Sequence, residues 1–206
     1  MFTGIVTDIG RLLAAEDRND GRLLRIGTSY DPAGIDLGAS ITCDGICLTV
    51  TAKGTDHGNW FEVFAGLETL AVTRVGQWPV GRRINLERSL KIGDELGGHI
   101  VSGHIDGLAE IVGKENSGDQ ITLTFAVSDE VAPFIAKKGS VALNGTSLTV
   151  NAVEGSRFSV HLIPYTVEVT SWGDYGVGDT VNIEVDPMAR YAARLFETLG
   201  DLRNKD

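Results

Sequence analysis

An internal duplication limits more than anything else what this chain can fold into. Gly45-Ile46-Cys47-Leu48-Thr49-Val50 returns as Gly145-Thr146-Ser147-Leu148-Thr149-Val150, an offset of 100. Phe2-Thr3-Gly4-Ile5-Val6-Thr7 returns more loosely as Val101-Ser102-Gly103-His104-Ile105-Asp106, at 99. Thr69, Thr73, Gly76, Val80-Gly81 and Asn85-Leu86-Glu87 return as Thr166, Thr170, Gly173, Val177-Gly178 and Asn182-Ile183-Glu184, at 97. The blocks keep their order while the offset drifts by only three, which chance does not produce. A period of that size is too long for a solenoid and fits a small domain. The 206 residues are therefore two copies of one domain, and two copies can build two similar pockets.

Most segments read as strands. Leu23–Thr28, Cys47–Ala52, Trp60–Phe64, Gln120–Val127 and Arg157–Leu162 alternate or run apolar and are rich in β-branched and aromatic residues. Asp44-Gly45 and Asn144-Gly145 are two-residue hairpin signals at matching points of the repeat, because both turn positions need φ > 0. Many short strands punctuated by turns imply an all-β fold, with an antiparallel barrel or sandwich in each half. Short helical turns are expected at Gly66–Ala71 and Asp129–Ala136.

The chain end departs from the repeat. Met188, Tyr191, Ala192, Leu195, Phe196 and Leu199 make one apolar stripe of helical period, with Asp186 placed to cap and Pro187 at the first helical position. Such a helix either packs on its own domain or self-associates. It has no counterpart after the first half, where Arg88–Gly98 is a polar, glycine-containing linker, so assembly is its natural role. The expected domains are residues 1–97, 98–186 and the helix 187–206.

Composition removes several function classes. With 28 acidic and 18 basic residues the net charge is −10, which disfavours a broad nucleic-acid-binding face. No apolar run is long enough to span a membrane, and the N-terminus does not read as a signal peptide. Cys43 and Cys47 flank a turn and are poor disulfide partners, so reduced thiols and a cytoplasmic location are expected. No P-loop, dinucleotide fingerprint or nucleophile elbow is present, against phosphoryl transfer, nicotinamide chemistry and serine hydrolysis.

The residues able to carry chemistry are few. Cys47 follows the hairpin turn and has Ser147 as its repeat partner, so the duplicated block keeps its frame and varies one polar atom; Cys43 reads as structural. His99 and His104 lie in Gly97-Gly98-His99-Ile100-Val101-Ser102-Gly103-His104. Five-residue spacing on a strand puts them on opposite faces and no Cys/His cluster follows, so no metal is expected. Flanking glycines let backbone approach a flat ligand.

Taken together, these blocks resemble riboflavin synthase of the α-chain type. The likeness rests on Met1-Phe2-Thr3-Gly4-Ile5-Val6, Asp44–Val50, Gly97–His104, Lys138-Gly139-Ser140, Gly145–Val150, His161-Leu162-Ile163-Pro164 and Val181–Asp186, and spans essentially the whole chain. It implies two homologous six-stranded Greek-key antiparallel barrels and a C-terminal α-helix that joins three chains. It implies a transferase that dismutates two 6,7-dimethyl-8-ribityllumazine molecules to riboflavin and 5-amino-6-(ribitylamino)uracil by four-carbon transfer, the final step of riboflavin biosynthesis. No metal or redox cofactor is implied, and lumazine synthase is a candidate partner beside the homotrimer. The facing pockets belong to different chains in that family.

The resemblance assigns to a first pocket Gly4, Ile5, Val6, Cys47, Leu48, Thr49 and Phe64-Ala65-Gly66-Leu67-Glu68-Thr69. A second takes Gly103, His104, Ile105, Lys138, Ser147, Leu148, Thr149 and His161-Leu162-Ile163-Pro164-Tyr165-Thr166. Ser40, Cys47, His99, His104 and Asp186 are its polar candidates for catalysis. This chain departs from the pattern at Gly66-Leu67, where relatives often carry Met-Pro, at Asp44, where Asn is common, and at Tyr165, where His or Glu is common. The competing reading is a non-catalytic lumazine or flavin carrier like lumazine protein. A flavin-reductase barrel would need a nucleotide domain for which the chain has no room, and an interaction-only barrel is a further alternative of the same standing.

Overall fold

The computed structural model describes residues 1–203, with side chains through Leu199. Twelve strands form two closed barrels. The first is built from β1 (Asp8–Arg18), β2 (Gly21–Gly27), β3 (Ser40–Cys43), β4 (Ile46–Gly54), β5 (Trp60–Gly66) and β6 (Arg83–Arg88), with α1 (Leu67–Val72) before the last strand. The second repeats it as β7 (Gly107–Ser117), β8 (Gln120–Ala126), β9 (Ser140–Leu143), β10 (Thr146–Glu154), β11 (Arg157–Leu162), α2 (Pro164–Glu168) and β12 (Thr180–Val185). Both close antiparallel in the same order, β1-β2-β5-β4-β3-β6 and its counterpart β7-β8-β11-β10-β9-β12. Of the two all-β architectures left open by the strand pattern, the barrel is the one adopted.

Closure follows from local chemistry. β1 and β4 shift register between Leu12 and Ala14 and between Val50 and Ala52, and β7 and β10 do so between Ile111 and Gly113 and between Val150 and Ala152. An extra residue in one strand bends and twists the pair, which is how a short sheet curls onto itself. Inward positions fill each barrel: Leu24, Ile26, Phe61, Val63, Ile84 and Leu86 in the first, Leu123, Phe125, Phe158, Val160 and Ile183 in the second. Each such side chain contributes roughly 1.5–3 kcal/mol by leaving water. The Asp44-Gly45 and Asn144-Gly145 tips all have positive φ (46°, 81°, 43° and 74°), as their hairpin turns require.

The barrels meet tip to tip. A Cβ added to Gly45 would sit 2.7 Å from the Gly145 backbone nitrogen, and one on Gly145 2.8 Å from that of Gly45. Asn85 donates to the Asn144 carbonyl at 2.9 Å, and Asn182 returns the bond to the Asp44 carbonyl at 2.9 Å. The departure at Asp44 is explained here. Its buried carboxylate takes Arg82 at 2.8 Å, and Arg82 also donates to the Tyr175 hydroxyl. Burial pushes the Asp44 pKa up while Arg82 opposes the shift.

The helical readings fared unevenly. Gly66–Ala71 appears as α1, whereas Asp129–Ala136 keeps only a 3-10 turn at Ala132–Phe134, and α2, the repeat partner of α1, was not anticipated. α3 (Pro187–Arg203) starts where the cap was expected, with Asp186 Oδ1 accepting from the Met188 amide at 2.9 Å. Its stripe is open: Met188, Tyr191, Leu195 and Phe196 are each more than 60% exposed, so the helix does not bury this face on its own barrel. An ion pair from Arg190 to Asp106 at 2.8 Å ties its first turns down. No described helix is long and apolar enough to cross a membrane.

Candidate active site

The site begins with the pleat of β3 and β4. Ile41, Cys43, Ile46, Leu48 and Val50 face the core. Ser40 pairs with Thr49 and Thr42 with Cys47, so these four share the outer face. The two cysteines are thus separated by function of position. Cys43 is fully buried and burial pushes its thiol pKa well up, while Cys47 is half-buried at a cleft. Ser140, Ala142, Ser147 and Thr149 hold the corresponding outer positions of β9 and β10.

Segments from the opposite repeat complete each face. The loop through Gly103 crosses to the first barrel, where the Gly103 carbonyl accepts from the Cys47 amide at 2.9 Å and Ile105 packs against the first core. The N-terminal segment crosses the other way, and the Gly4 carbonyl accepts from the Ser147 amide at 2.8 Å. The two segments pair with each other through Phe2 and Val101. Gly4 and Gly103 have φ of +75° and +80°, and an added Cβ would lie 2.6 Å from Ser147 Cβ and 2.5 Å from Cys47 Cβ respectively.

The chain crossing differs from the expected grouping. Gly4 stands beside Ser147 rather than Cys47, and Gly103, His104 and Ile105 stand beside Cys47 rather than Ser147. The physical reason is the tip-to-tip contact of the barrels, which puts each crossing segment within backbone hydrogen-bond reach of the other repeat's strand. The first cleft is about 350 Å³ and is lined by Cys47, Glu68, Thr69, Gly103, His104 and Ile105, with Ile46, Val72 and Thr73. Within the expected groups, Leu48, Ala65, Leu148 and Leu162 point into the cores, so only their backbone is available to a ligand. Thr49, Thr149, Leu67, Glu68, Ile163, Pro164 and Tyr165 are exposed, Phe64, Gly66, Thr69 and Thr166 half-buried.

The polar candidates fall into two sets. His104 joins Cys47 at the first cleft. His99 joins the other side: its Nδ1 lies 2.7 Å from Ser147 Oγ, its amide donates to the Thr3 carbonyl at 3.1 Å, and Asp186 is close enough to favour its charged form. Ser40 shares the outer face of Cys47 two residues along, and its carbonyl takes Ser89 Oγ at 2.8 Å. His161 is held by Thr122 at 2.9 Å. Lys138 sits at φ +68° where the first repeat has Gly38 at +83°, with its side chain exposed. Among the described residues no group of three or more His, Cys, Asp or Glu is arranged to hold a metal.

Burial lowers the His99 pKa against the opposing pull of Asp186 and Glu184. Its unfolded counterpart takes a proton near pH 6.5. As pH falls below that value the unfolded chain binds the proton first, so the stability present at neutral pH is lost progressively down to the lowered folded pKa. The midpoint of thermal unfolding should fall over this window, and the slope should flatten in His99→Gln. An unchanged slope in that variant would remove His99 from the titration.

Two buried residues that organise the site escaped the sequence reading. Glu87 on β6 and Glu184 on β12 are buried acids whose carboxylates hold the crossing segments. The signal was present, since both belong to the repeated Asn-x-Glu block, but an acid alternating with apolar residues reads equally as a strand's solvent face.

A family model for the lumazine binding domain matches residues 3–89 and again 102–186. Riboflavin synthase of Brucella abortus (strain 2308) is 58% identical over 96% of this chain and 98% of its own. That of Schizosaccharomyces pombe is 39% identical over 96% and 94%, and that of Escherichia coli K12 38% over 92% and 89%. Among solved structures, LumP complexed with riboflavin superposes with a TM-score of 0.80, covering 90% of this chain and 99% of that one, at 20% identity. LumP complexed with 6,7-dimethyl-8-(1'-D-ribityl) lumazine gives 0.77 at 20% identity. These two likenesses are of fold.

Proposed function

We infer the activity of this chain from a plain premise: it belongs to the riboflavin synthase family, and it carries two lumazine binding domains. It is a transferase. Its reaction moves a four-carbon unit between two 6,7-dimethyl-8-ribityllumazine molecules, giving riboflavin and 5-amino-6-(ribitylamino)uracil.

The observation that carries the reading is the pair of matching barrel faces with unlike polar atoms, Cys47 at a cleft on one and Ser147 paired with His99 on the other. Both reactants are the same molecule, so a duplicated barrel presents the same ring twice. Holding the two in register replaces a chance encounter with a positioned one, an advantage of up to roughly 7–11 kcal/mol of barrier. The reactants then have to diverge into donor and acceptor, and the clefts differ where that divergence needs them to. One offers Cys47 and His104; the other offers Ser147 with His99 at 2.7 Å and Asp186 nearby. A depressed His99 pKa keeps the imidazole neutral near pH 7, ready to take a proton from Ser147 or from the substrate's acidic C7 methyl. The carbanion so formed is delocalised into the ring, and backbone amides around the crossing glycines supply hydrogen bonds to it.

Assembly belongs to the same proposal. The Cys47 cleft and the Ser147–His99 pair lie on the outer faces of their barrels, and the α3 stripe is exposed in a single chain. Three chains joined through α3 would set the first cleft of one against the second cleft of its neighbour, since a head-to-tail ring juxtaposes unlike surfaces. The two free cysteines support a cytoplasmic location.

Incubation with the lumazine alone tests the reading: riboflavin absorbance should grow. A tightly held yellow ligand with no growth would favour a carrier instead. Cys47→Ser should lower turnover by about tenfold or more, the scale of losing one positioned polar group at the reacting ring. Cys43→Ser should cost roughly 1–3 kcal/mol of stability by placing a hydroxyl in an apolar core, with turnover of the folded protein kept. Equal turnover losses in the two folded variants would contradict the placement of Cys47.

A further inference from the structure

Glu184 lies on the last strand of the second barrel, and its carboxylate is saturated by the segment that leads into that barrel. Oε1 accepts from the Ser102 amide at 2.7 Å and the Ser102 hydroxyl at 2.8 Å. Oε2 accepts from the Gly103 amide at 2.7 Å and the His104 amide at 3.0 Å. That segment delivers Gly103 to Cys47, in the first barrel's cleft. Glu87 does the mirror work from the first barrel. It accepts from the Thr3 amide and hydroxyl at 2.7 Å each and from the Gly4 amide at 2.9 Å, and the Gly4 carbonyl reaches Ser147 on the outer face of the second barrel.

We propose that Glu87 and Glu184 are crossed positioning residues: each acid shapes the lumazine cleft of the barrel to which it does not belong. The chemistry requires a carboxylate. Only an ionised acid offers two oxygens that accept and never donate, so it can gather successive N–H groups of one loop. Glutamine would turn an NH2 toward those buried donors and leave at least one unpaired, and aspartate is one methylene short of them. Neither acid need touch substrate; each acts through the loop it holds. The consequence for the reaction is that donor and acceptor clefts within one chain are built jointly, so neither barrel carries a finished site by itself.

The proposal rests on the clefts being ligand sites, and the test separates the two claims. The probe is riboflavin, and the reporter is protection of a cleft thiol from iodoacetamide in the full-length protein. Cys47 reports the first cleft, with Cys43 silent because it is buried. Ser147→Cys in a Cys47→Ser background reports the second. Glu184→Gln should raise the riboflavin concentration that protects Cys47 by about tenfold, and change the second reporter by less than about threefold, the scale of one unpaired buried donor. Glu87→Gln should do the reverse. Riboflavin protecting neither reporter in the parent proteins would overturn the ligand assignment together with this proposal. Protection in the parents with shifts in the acid's own barrel, equal shifts in both, or none would overturn the crossed control alone. Should a glutamine variant fail to fold, Ser102→Ala and Thr3→Val each remove one hydrogen bond from the acid, and the same crossed pattern at smaller amplitude is required.

Discussion

Gly103→Val is expected to abolish most riboflavin formation, by about 100-fold or more, while both barrels stay folded. The new side chain has to enter at φ +80°, a region closed to β-branched residues, with its Cβ 2.5 Å from Cys47 Cβ and 2.9 Å from the Cys47 amide nitrogen. The loop must withdraw, which breaks the Gly103–Cys47 backbone bond and displaces His104 with it. Displacement of a binding surface by about 1 Å is enough for a 100-fold loss when the reaction depends on alignment. Gly118→Asn is the control: φ is +60° there, the surroundings are open, and asparagine tolerates the region. It should retain turnover. Circular dichroism and steady-state rates on both proteins decide the matter, and a Gly103→Val enzyme of normal rate would show that the crossing loop does not shape the site.

Truncation after Pro187 should have a comparably large effect by a different route. It removes the exposed stripe of Met188, Tyr191, Ala192, Leu195, Phe196 and Leu199 and leaves every strand and both clefts intact. Each large side chain of the stripe contributes roughly 1.5–3 kcal/mol when buried, and copies of the stripe from neighbouring chains together offset the cost of association. Sedimentation should therefore show a species smaller than the full-length assembly. Riboflavin formation should drop by about 100-fold, because each chain keeps its clefts but loses the neighbour that faces them. Ligand binding should survive. A truncated protein that is monomeric and fully active would sink both the assembly and the shared site.

How far the sequence reaches can be read from particular residues. The duplication, the two hairpin tips and the capped terminal helix are all encoded locally: Asp44-Gly45 and Asn144-Gly145 demand positive φ, and Asp186-Pro187 starts a helix wherever the chain goes next. The outer position of Cys47 and the inner position of Cys43 also follow once the turn between them is known, because pairing across a hairpin fixes the faces. The partner of each glycine loop was not legible. Gly4 precedes the first barrel and Gly103 the second, so chain order groups each with its own barrel; the backbone bonds from Ser147 to Gly4 and from Cys47 to Gly103 reveal the exchange. The missed α2 has a similar origin, since five residues beginning with Pro164 are too few to show a helical period. The split of His99 and His104 between clefts is a further consequence of the exchange.

The account depends on two copies of one substrate meeting across unlike clefts, and the stoichiometry of the reaction measures that directly. Chelator-dialysed protein is incubated with 6,7-dimethyl-8-ribityllumazine as the sole substrate, and substrate loss, riboflavin and 5-amino-6-(ribitylamino)uracil are quantified by chromatography. Two lumazines consumed for each riboflavin, with one pyrimidine released alongside, is the predicted result. One lumazine per riboflavin, or no reaction until a metal, nicotinamide or flavin is added, would contradict it.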